Sequence, residues 1–177
     1  MNNILDNVIV YIDEQSISSK VKELGRIITS DYYDKNLLVI CILKGSSVFT
    51  ADLIREIKLP LEVDFMIVSS YGDITSSDGN VKIIKDLETD IKDYHVLIAE
   101  DILDTGYTLS ALVKLLRSRN PLSLKICTLL DKPDRHVKNI AADYIGFTIE
   151  NKFVVGYGLD CAEKYRNLKY VGILDHE

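Results

Sequence analysis

The sequence contains no tryptophan, only two methionines, three prolines and nine glycines in 177 residues. With so few chain breakers there is no low-complexity tract, no repeat period and no stretch that reads as a linker. A single domain over residues 1–177 is therefore expected. The three cysteines cannot all pair with one another. Cys41 and Cys127 lie in apolar runs and read as small buried hydrophobes. Cys161 sits in a loop-like stretch beside Asp160, and none of the three has a histidine close by in sequence. This is the pattern of a reduced, cytoplasmic protein. His95, His136 and His176 lack metal-ligand spacing and read as surface or turn residues. No apolar run approaches the length of a membrane span, and the amino terminus, MNNILDNVIV, carries no basic leader, so neither an anchor nor a signal peptide is expected. Basic residues are the minority, 21 Lys and Arg against 27 Asp and Glu, a net charge of −6. That balance argues against general affinity for nucleic acid or an anionic membrane.

The 47% hydrophobic and 27% charged residues that are present suit a globular chain with a substantial core. Residues 14–33 carry Ile17, Val21, Leu24 and Ile28 at helical spacing, with Asp13 placed to cap. The all-apolar run LLVICIL at 37–43 predicts a strand covered on both faces. Ser46 to Ile57 predicts a helix with Val48, Leu53, Ile54 and Ile57 inward. Strands are predicted at 61–69, 81–85, 94–99, 122–130 and 169–174. A third helix is predicted from Tyr107 to Arg119, with Leu109, Leu112, Val113 and Leu116 on one face. The polar segment 70–80 reads as a long loop. Alternating strands and helices predict an α/β fold with a mostly parallel, twisted sheet and helices on both faces. In such sheets ligands bind past the carboxyl ends of the strands.

Residues 94–109, YHVLIAEDILDTGYTL, concentrate the chemistry. An apolar run meets two adjacent carboxylates, Glu100 and Asp101, and then Asp104-Thr105-Gly106-Tyr107-Thr108 leads into a helix. Backbone amides, two hydroxyls and a helix amino terminus can cradle a phosphate. The acidic pair cannot serve that phosphate, because like charges repel. It must serve a neighbour that wants carboxylates: a ribose diol, a divalent cation, or both.

The segment EDILDTGYTL resembles the ribose-phosphate loop of the phosphoribosyltransferases, and in particular that of the hypoxanthine-guanine phosphoribosyltransferases. LKGS at 43–46, SSYGD at 69–73, LLDKPDR at 129–135 and NKFVVGYGLDCAEKYRNL at 151–168 are similar to further segments of that family, in its order. The resemblance implies a type I phosphoribosyltransferase fold, with a small hood built from the chain ends. It implies transfer of a 5-phosphoribosyl group from 5-phospho-α-D-ribose 1-diphosphate to a 6-oxopurine, with Mg²⁺ as cofactor and an assembly of two or four copies. Glu100 and Asp101 would hold the ribose hydroxyls and organise Mg²⁺. Asp104 would be the general acid/base, and Asp104, Thr105, Gly106, Tyr107 and Thr108 would surround the phosphate.

On the same resemblance Lys44 and Gly45, after a cis peptide at Leu43–Lys44, would bind pyrophosphate together with Ser70, Tyr71 and Arg166. The 70–78 loop would act as a lid. Lys132 would place its ammonium on the purine 6-oxo group, which would favour hypoxanthine and guanine over adenine. Phe153 would stack on the purine and the Val154 backbone would bond its edge. Asp160, in the same purine-binding segment, would be a second Mg²⁺ ligand. By pattern alone, Phe153 in the run FVV reads as a core aromatic. The family more often has an aromatic where Cys161 stands. Two alternatives remain at this stage, a transferase preferring xanthine and a non-catalytic nucleotide-sensing regulator on the same fold. The acidic balance and the presence of Asp104 argue against the regulator.

Overall fold

A computed structural model describes residues 7–70 and 81–174. Chain order runs β1 (Val8–Ile12), α1 (Glu14–Asp31), β2 (Leu37–Leu43), α2 (Ser47–Glu56), β3 (Leu61–Ser70), β4 (Val81–Lys85), β5 (His95–Leu103), α3 (Tyr107–Arg117), β6 (Ser123–Asp131), β7 (Tyr144–Thr148), β8 (Val154–Val155) and β9 (Val171–Leu174). A 3-10 turn, Pro133–Arg135, follows β6. Six strands form the main sheet in the order β4-β3-β2-β5-β6-β7. Its pairings are parallel except for the antiparallel edge between β3 and β4. A second sheet, β1-β9-β8, joins the two ends of the described chain, as expected of a hood.

The continuous apolar run of β2 is explained by cover on both faces. Leu37 and Val39 join the core beneath α1 and α2, with Leu24, Ile28, Phe49 and Leu53. Leu38, Ile40 and Ile42 join the core beneath α3, with Leu109, Leu112, Val113 and Leu116. Helix α1 starts where Asp13 accepts a hydrogen bond from the Ser16 amide at 2.8 Å. In α2, Leu53 and Ile57 are buried as expected, whereas Val48 and Ile54 are half-buried and Phe49 and Thr50 are buried in addition, because the helix packs on α1 as well as on the sheet. One expectation for the histidines changes: His95 lies in β5 and bonds Ser123 Oγ at 2.8 Å. His136 closes the 3-10 turn, as expected of a turn residue, and bonds the buried Asp131 at 2.8 Å. Cys41 and Cys127 are buried as expected. Strands β1, β7 and β8 lack a strong period and were not expected. The predicted loop at 70–80 lies outside the described residues after Ser70, as does His176. Among the described residues no helix is long and apolar enough to cross a membrane.

One buried acid ties the edge of the sheet to its flank. Asp64 on β3 accepts from the amides of Phe65 at 2.7 Å, Glu88 at 2.8 Å and Thr89 at 3.0 Å. Burial opposes its charge, yet the three amides prevail and hold the carboxyl below the usual carboxylate range. Its contribution to stability is thus present above about pH 4 and is lost as the pH falls through the depressed pKa. Asp64→Ala should cost about 2–4 kcal/mol at pH 7, since buried amides lose their acceptor. Urea titrations should show the gap between variant and parent shrinking at acid pH. A gap that is constant with pH would mean the carboxylate charge is not what holds these amides.

Candidate active site

The carboxyl ends of β2 and β5 open into one cavity of about 360 Å³. Its wall includes Lys44, Gly45, Glu100, Asp101, Asp104, Thr105, Gly106, Thr108, Asp160 and Arg166. Residues from positions 44 to 166 thus converge, as predicted for ligands of a parallel sheet. The acidic pair does not follow the strand, as the apolar run suggested. It lies inside β5, which continues to Leu103 because β6 pairs alongside, Glu100 opposite Thr128 and Leu103 opposite Asp131. Two neighbouring carboxyl groups therefore stand half-buried within a strand. Burial, and then the charge of Asp101, pushes the Glu100 carboxyl well above the ordinary range. Burial also raises Asp101, against a 2.8 Å bond from the Ile102 amide to its Oδ1 and the nearby Arg166 cation.

The turn from β2 into α2 presses on this pair. The Leu43–Lys44 peptide is cis, as the family resemblance implied. Ser46 Oγ donates to Ile42 O at 2.7 Å and the Ser47 amide donates to Lys44 O at 3.2 Å. A Cβ at Gly45 would land on the Asp101 carboxylate, so any side chain there requires that carboxylate to move.

The loop between β5 and α3 is not a side-chain-capped helix start. Gly106 caps α3 at φ 79, and neither Asp104 nor Thr105 makes a capping bond. The loop is instead clasped by residues 132–138. The Lys132 amide donates to Leu103 O at 2.9 Å, and the Val137 and Lys138 amides donate to Thr105 O at 3.0 and 3.3 Å. Arg135 Nε donates to Asp104 Oδ1 at 3.0 Å. Lys132 is 6% exposed. Burial lowers its pKa, with the Asp104 charge acting in opposition.

The segment from β8 to β9 covers the site with unusual backbone. Four non-glycine residues here, Tyr157, Ala162, Glu163 and Tyr165, have φ between 50 and 75. Arg166 bonds Gly158 O at 2.8 Å and Asp160 Oδ1 at 2.8 Å. Lys44 Nζ contacts both Glu163 oxygens at 3.1 Å. Tyr157 Oη donates to Asp52 Oδ2 at 2.6 Å and ties the segment to α2.

Not every expected residue lines the cavity. Tyr107 is not on its wall, and its ring lies 4.8 Å from Lys138 Nζ. Lys132, Phe153 and Val154 stand outside the lining as well. Val154 is buried opposite Ile173 in the small sheet, while Phe153 is 53% exposed. The core reading of Phe153 is thus wrong: β8 is too short to carry its flanking residue inward. Ser70 ends β3, and Tyr71 lies outside the described residues. Glu100, Asp101 and Asp160 do not gather into one ligand set; among the described residues no three acidic, His or Cys side chains do. Arg135 and Glu163 were not singled out from the sequence, where neither stands in a pattern that ties it to a distant partner.

The phosphoribosyl transferase domain model matches residues 11–162. The chain is 56% identical over 165 residues to the hypoxanthine-guanine phosphoribosyltransferase of Bacillus subtilis (strain 168), covering 93% of this chain and 92% of that protein. It is 48% identical over 169 residues to the hypoxanthine phosphoribosyltransferase of Haemophilus influenzae, covering 94% of each. Its fold superposes on a crystal structure of a hypoxanthine phosphoribosyltransferase from Staphylococcus aureus with a TM-score of 0.94 at 50% identity, covering 98% of this chain and 96% of that one.

The raised carboxyl of Glu100 has a consequence for stability. At pH values between the ordinary carboxylate range and the raised one, the folded chain binds a proton there more tightly than the unfolded chain. The group therefore favours folding in acid and disfavours it as the pH rises above the ordinary carboxylate range. Glu100→Gln should stabilise the free protein by the order of 1 kcal/mol at pH 8, about 2–4 °C in thermal midpoint. The gain should be smaller at pH 5. A midpoint at pH 8 equal to or below that of the parent would show that the pair carries no such repulsion.

Proposed function

This chain belongs to the phosphoribosyl transferase domain family, and we propose that it joins hypoxanthine or guanine to the 5-phosphoribosyl group of 5-phospho-α-D-ribose 1-diphosphate, releasing pyrophosphate. The observation that carries the reading is the sharing of one cavity by three groups of complementary chemistry. These are the acidic pair Glu100 and Asp101, the loop Asp104–Thr108 at the head of α3, and the cations Lys44 and Arg166.

Each group suits one part of the donor. The amides and hydroxyls of Thr105, Gly106 and Thr108 take the 5-phosphate at the amino terminus of α3, and Tyr107 contributes its amide while its ring faces Lys138. The carboxylates of Glu100 and Asp101 accept from the ribose hydroxyls. Lys44, Arg166 and the Gly45 backbone receive the pyrophosphate, with Ser70 and Tyr71 completing its contacts. Asp160 holds Arg166 in place from the neighbouring loop. The purine sits beside the cavity, with Phe153 stacked on it, the Val154 backbone on its edge and Lys132 on the 6-oxo group. A buried ammonium favours an oxo acceptor and rejects a 6-amino donor.

In the reaction a purine nitrogen attacks the anomeric carbon, the bond from that carbon to the pyrophosphate oxygen breaks, and pyrophosphate departs with the bonding electrons. The proton released by the purine passes to Asp104. The protein supplies position and fixed charge. Glu100 and Asp101 are hard oxygen donors that would hold Mg²⁺, and the ion would supply positive charge to neutralise the departing pyrophosphate. In this reading residues 1–177 work as one cytoplasmic domain, assembled in two or four copies.

Purified protein supplied with the ribose donor, Mg²⁺ and separate purines tests the reading: hypoxanthine and guanine should be consumed and adenine left, with xanthine deciding the 2-position. No turnover of any 6-oxopurine would overturn it. Asp104→Ala should lower kcat by about 10²–10⁴-fold, with a smaller change in KM. A kcat near that of the parent would remove Asp104 from the proton transfer. Lys132→Ala should raise KM for 6-oxopurines and leave affinity for the ribose donor nearly unchanged; equal weakening of both would assign Lys132 a structural or phosphate-binding role instead.

A further inference from the structure

Arg135 has no part in the reaction as set out above, yet its side chain reaches the carboxylate that receives the proton. It sits one short 3-10 turn beyond Lys132, and its amide donates to Lys132 O at 2.9 Å. We propose that Arg135 is a positioning residue for Asp104, and that it fixes the rotamer in which one carboxylate oxygen is held by the protein and the other faces the purine. The inference rests on the reading of Asp104 as proton acceptor.

Three features separate this role from a merely structural one. First, the path of the 103–106 loop is already set by backbone bonds, from the Lys132 amide to Leu103 O at 2.9 Å and from the Val137 amide to Thr105 O at 3.0 Å. Those bonds do not depend on which side chain stands at 135. The guanidinium contact acts on the Asp104 side chain alone. Second, the bond is Nε to Oδ1 at 3.0 Å, and among the described residues no hydrogen bond is made to Oδ2. An Nε–H set in a planar guanidinium gives Oδ1 a directed donor, which the freely rotating ammonium of a lysine does not. Third, the pair is too exposed to matter for folding, with 43% of the Arg135 side chain and 40% of the Asp104 side chain accessible. Ion pairs of that kind contribute little to stability. What remains is orientation, and misplacing a reacting group costs far more in rate than such a pair contributes to the fold.

One rigid turn then sets both ends of purine recognition. Lys132 meets the oxo group, and Arg135 holds the base for the ring nitrogen. During transfer the proton moves from purine nitrogen to the outward carboxylate oxygen, while Arg135 keeps its own protons and its charge.

A kinetic double-mutant cycle on the full chain tests this, with the parent, Arg135→Ala, Asp104→Ala and the double variant assayed on hypoxanthine with saturating ribose donor and Mg²⁺. Arg135→Ala should lower kcat roughly 10- to 100-fold, with KM for both substrates within about twofold of the parent. In the Asp104→Ala background the same change should alter kcat by less than about twofold, since nothing is left to orient. Arg135→Lys should recover only part of the loss, and the thermal midpoint of Arg135→Ala should stay within about 2 °C of the parent. An equal fall in both backgrounds would make Arg135 act independently of Asp104 and overturn the inference. So would parental kcat in Arg135→Ala when Asp104→Ala is impaired, which leaves the reading of Asp104 standing. Parental kcat in Asp104→Ala would overturn that reading first, and this inference with it.

Discussion

Two adjacent carboxylates inside the central strand of the main sheet are the constraint around which the rest is arranged. Glu100 and Asp101 stand side by side on β5, half-buried, with the β2 turn pressed against them. Burial and mutual repulsion push Glu100 toward its neutral form. A chain that keeps such a pair gives up stability in its free state, and ligands that bring positive charge or hydroxyl donors recover it. Gly45 fits the same constraint, because a larger residue would meet the Asp101 carboxylate and force it to move.

The site is held by two clasps of different kinds. On one side, residues 132–138 bond the phosphate loop through its backbone at Leu103 and Thr105, and through the Asp104 side chain. This joins the turn after β6 to the loop at the head of α3. On the other side, the segment between β8 and β9 reaches across with charged contacts, Lys44 to Glu163 and Arg166 to Asp160. Glu163 is thus the anion that the Lys44 ammonium meets in the free protein. Backbone in the left-handed region at Ala162 and Glu163 shapes the turn from which Glu163 reaches Lys44.

Most of the main sheet could be read from the sequence. β2 is buried on both faces and so shows an unbroken apolar run. The buried stripe of α3, Leu109, Leu112, Val113 and Leu116, coincides with its helical period. Asp13 caps α1 through a bond that spans three residues, a distance over which sequence and structure are the same thing. Reading failed where the partner was remote. The apolar run stops short of the true end of β5, since the last residues of the strand are polar or mixed and remain strand only because β6 pairs with them. The short strands β1, β7 and β8 exist for the same reason. Phe153 was read as core because aromatic and branched neighbours favour burial, but the two-residue β8 buries Val154 and leaves its neighbour outside.

What the sequence by itself determined were the local elements and the chemical kinds of residue in each motif: the paired acids, the glycine at the head of a helix, the lysines at two turns. These depend on spacing within a few residues, and the physics of periodicity, capping and turn geometry acts over that range. Only the tertiary structure decided which motifs meet. Arg135 and Asp104 are 31 residues apart, and Lys44 and Glu163 are 119 apart. Contacts at such separations follow from strand order and from where each loop leaves the sheet. No local pattern records them, because their closure is stabilised by the whole core rather than by the residues that touch.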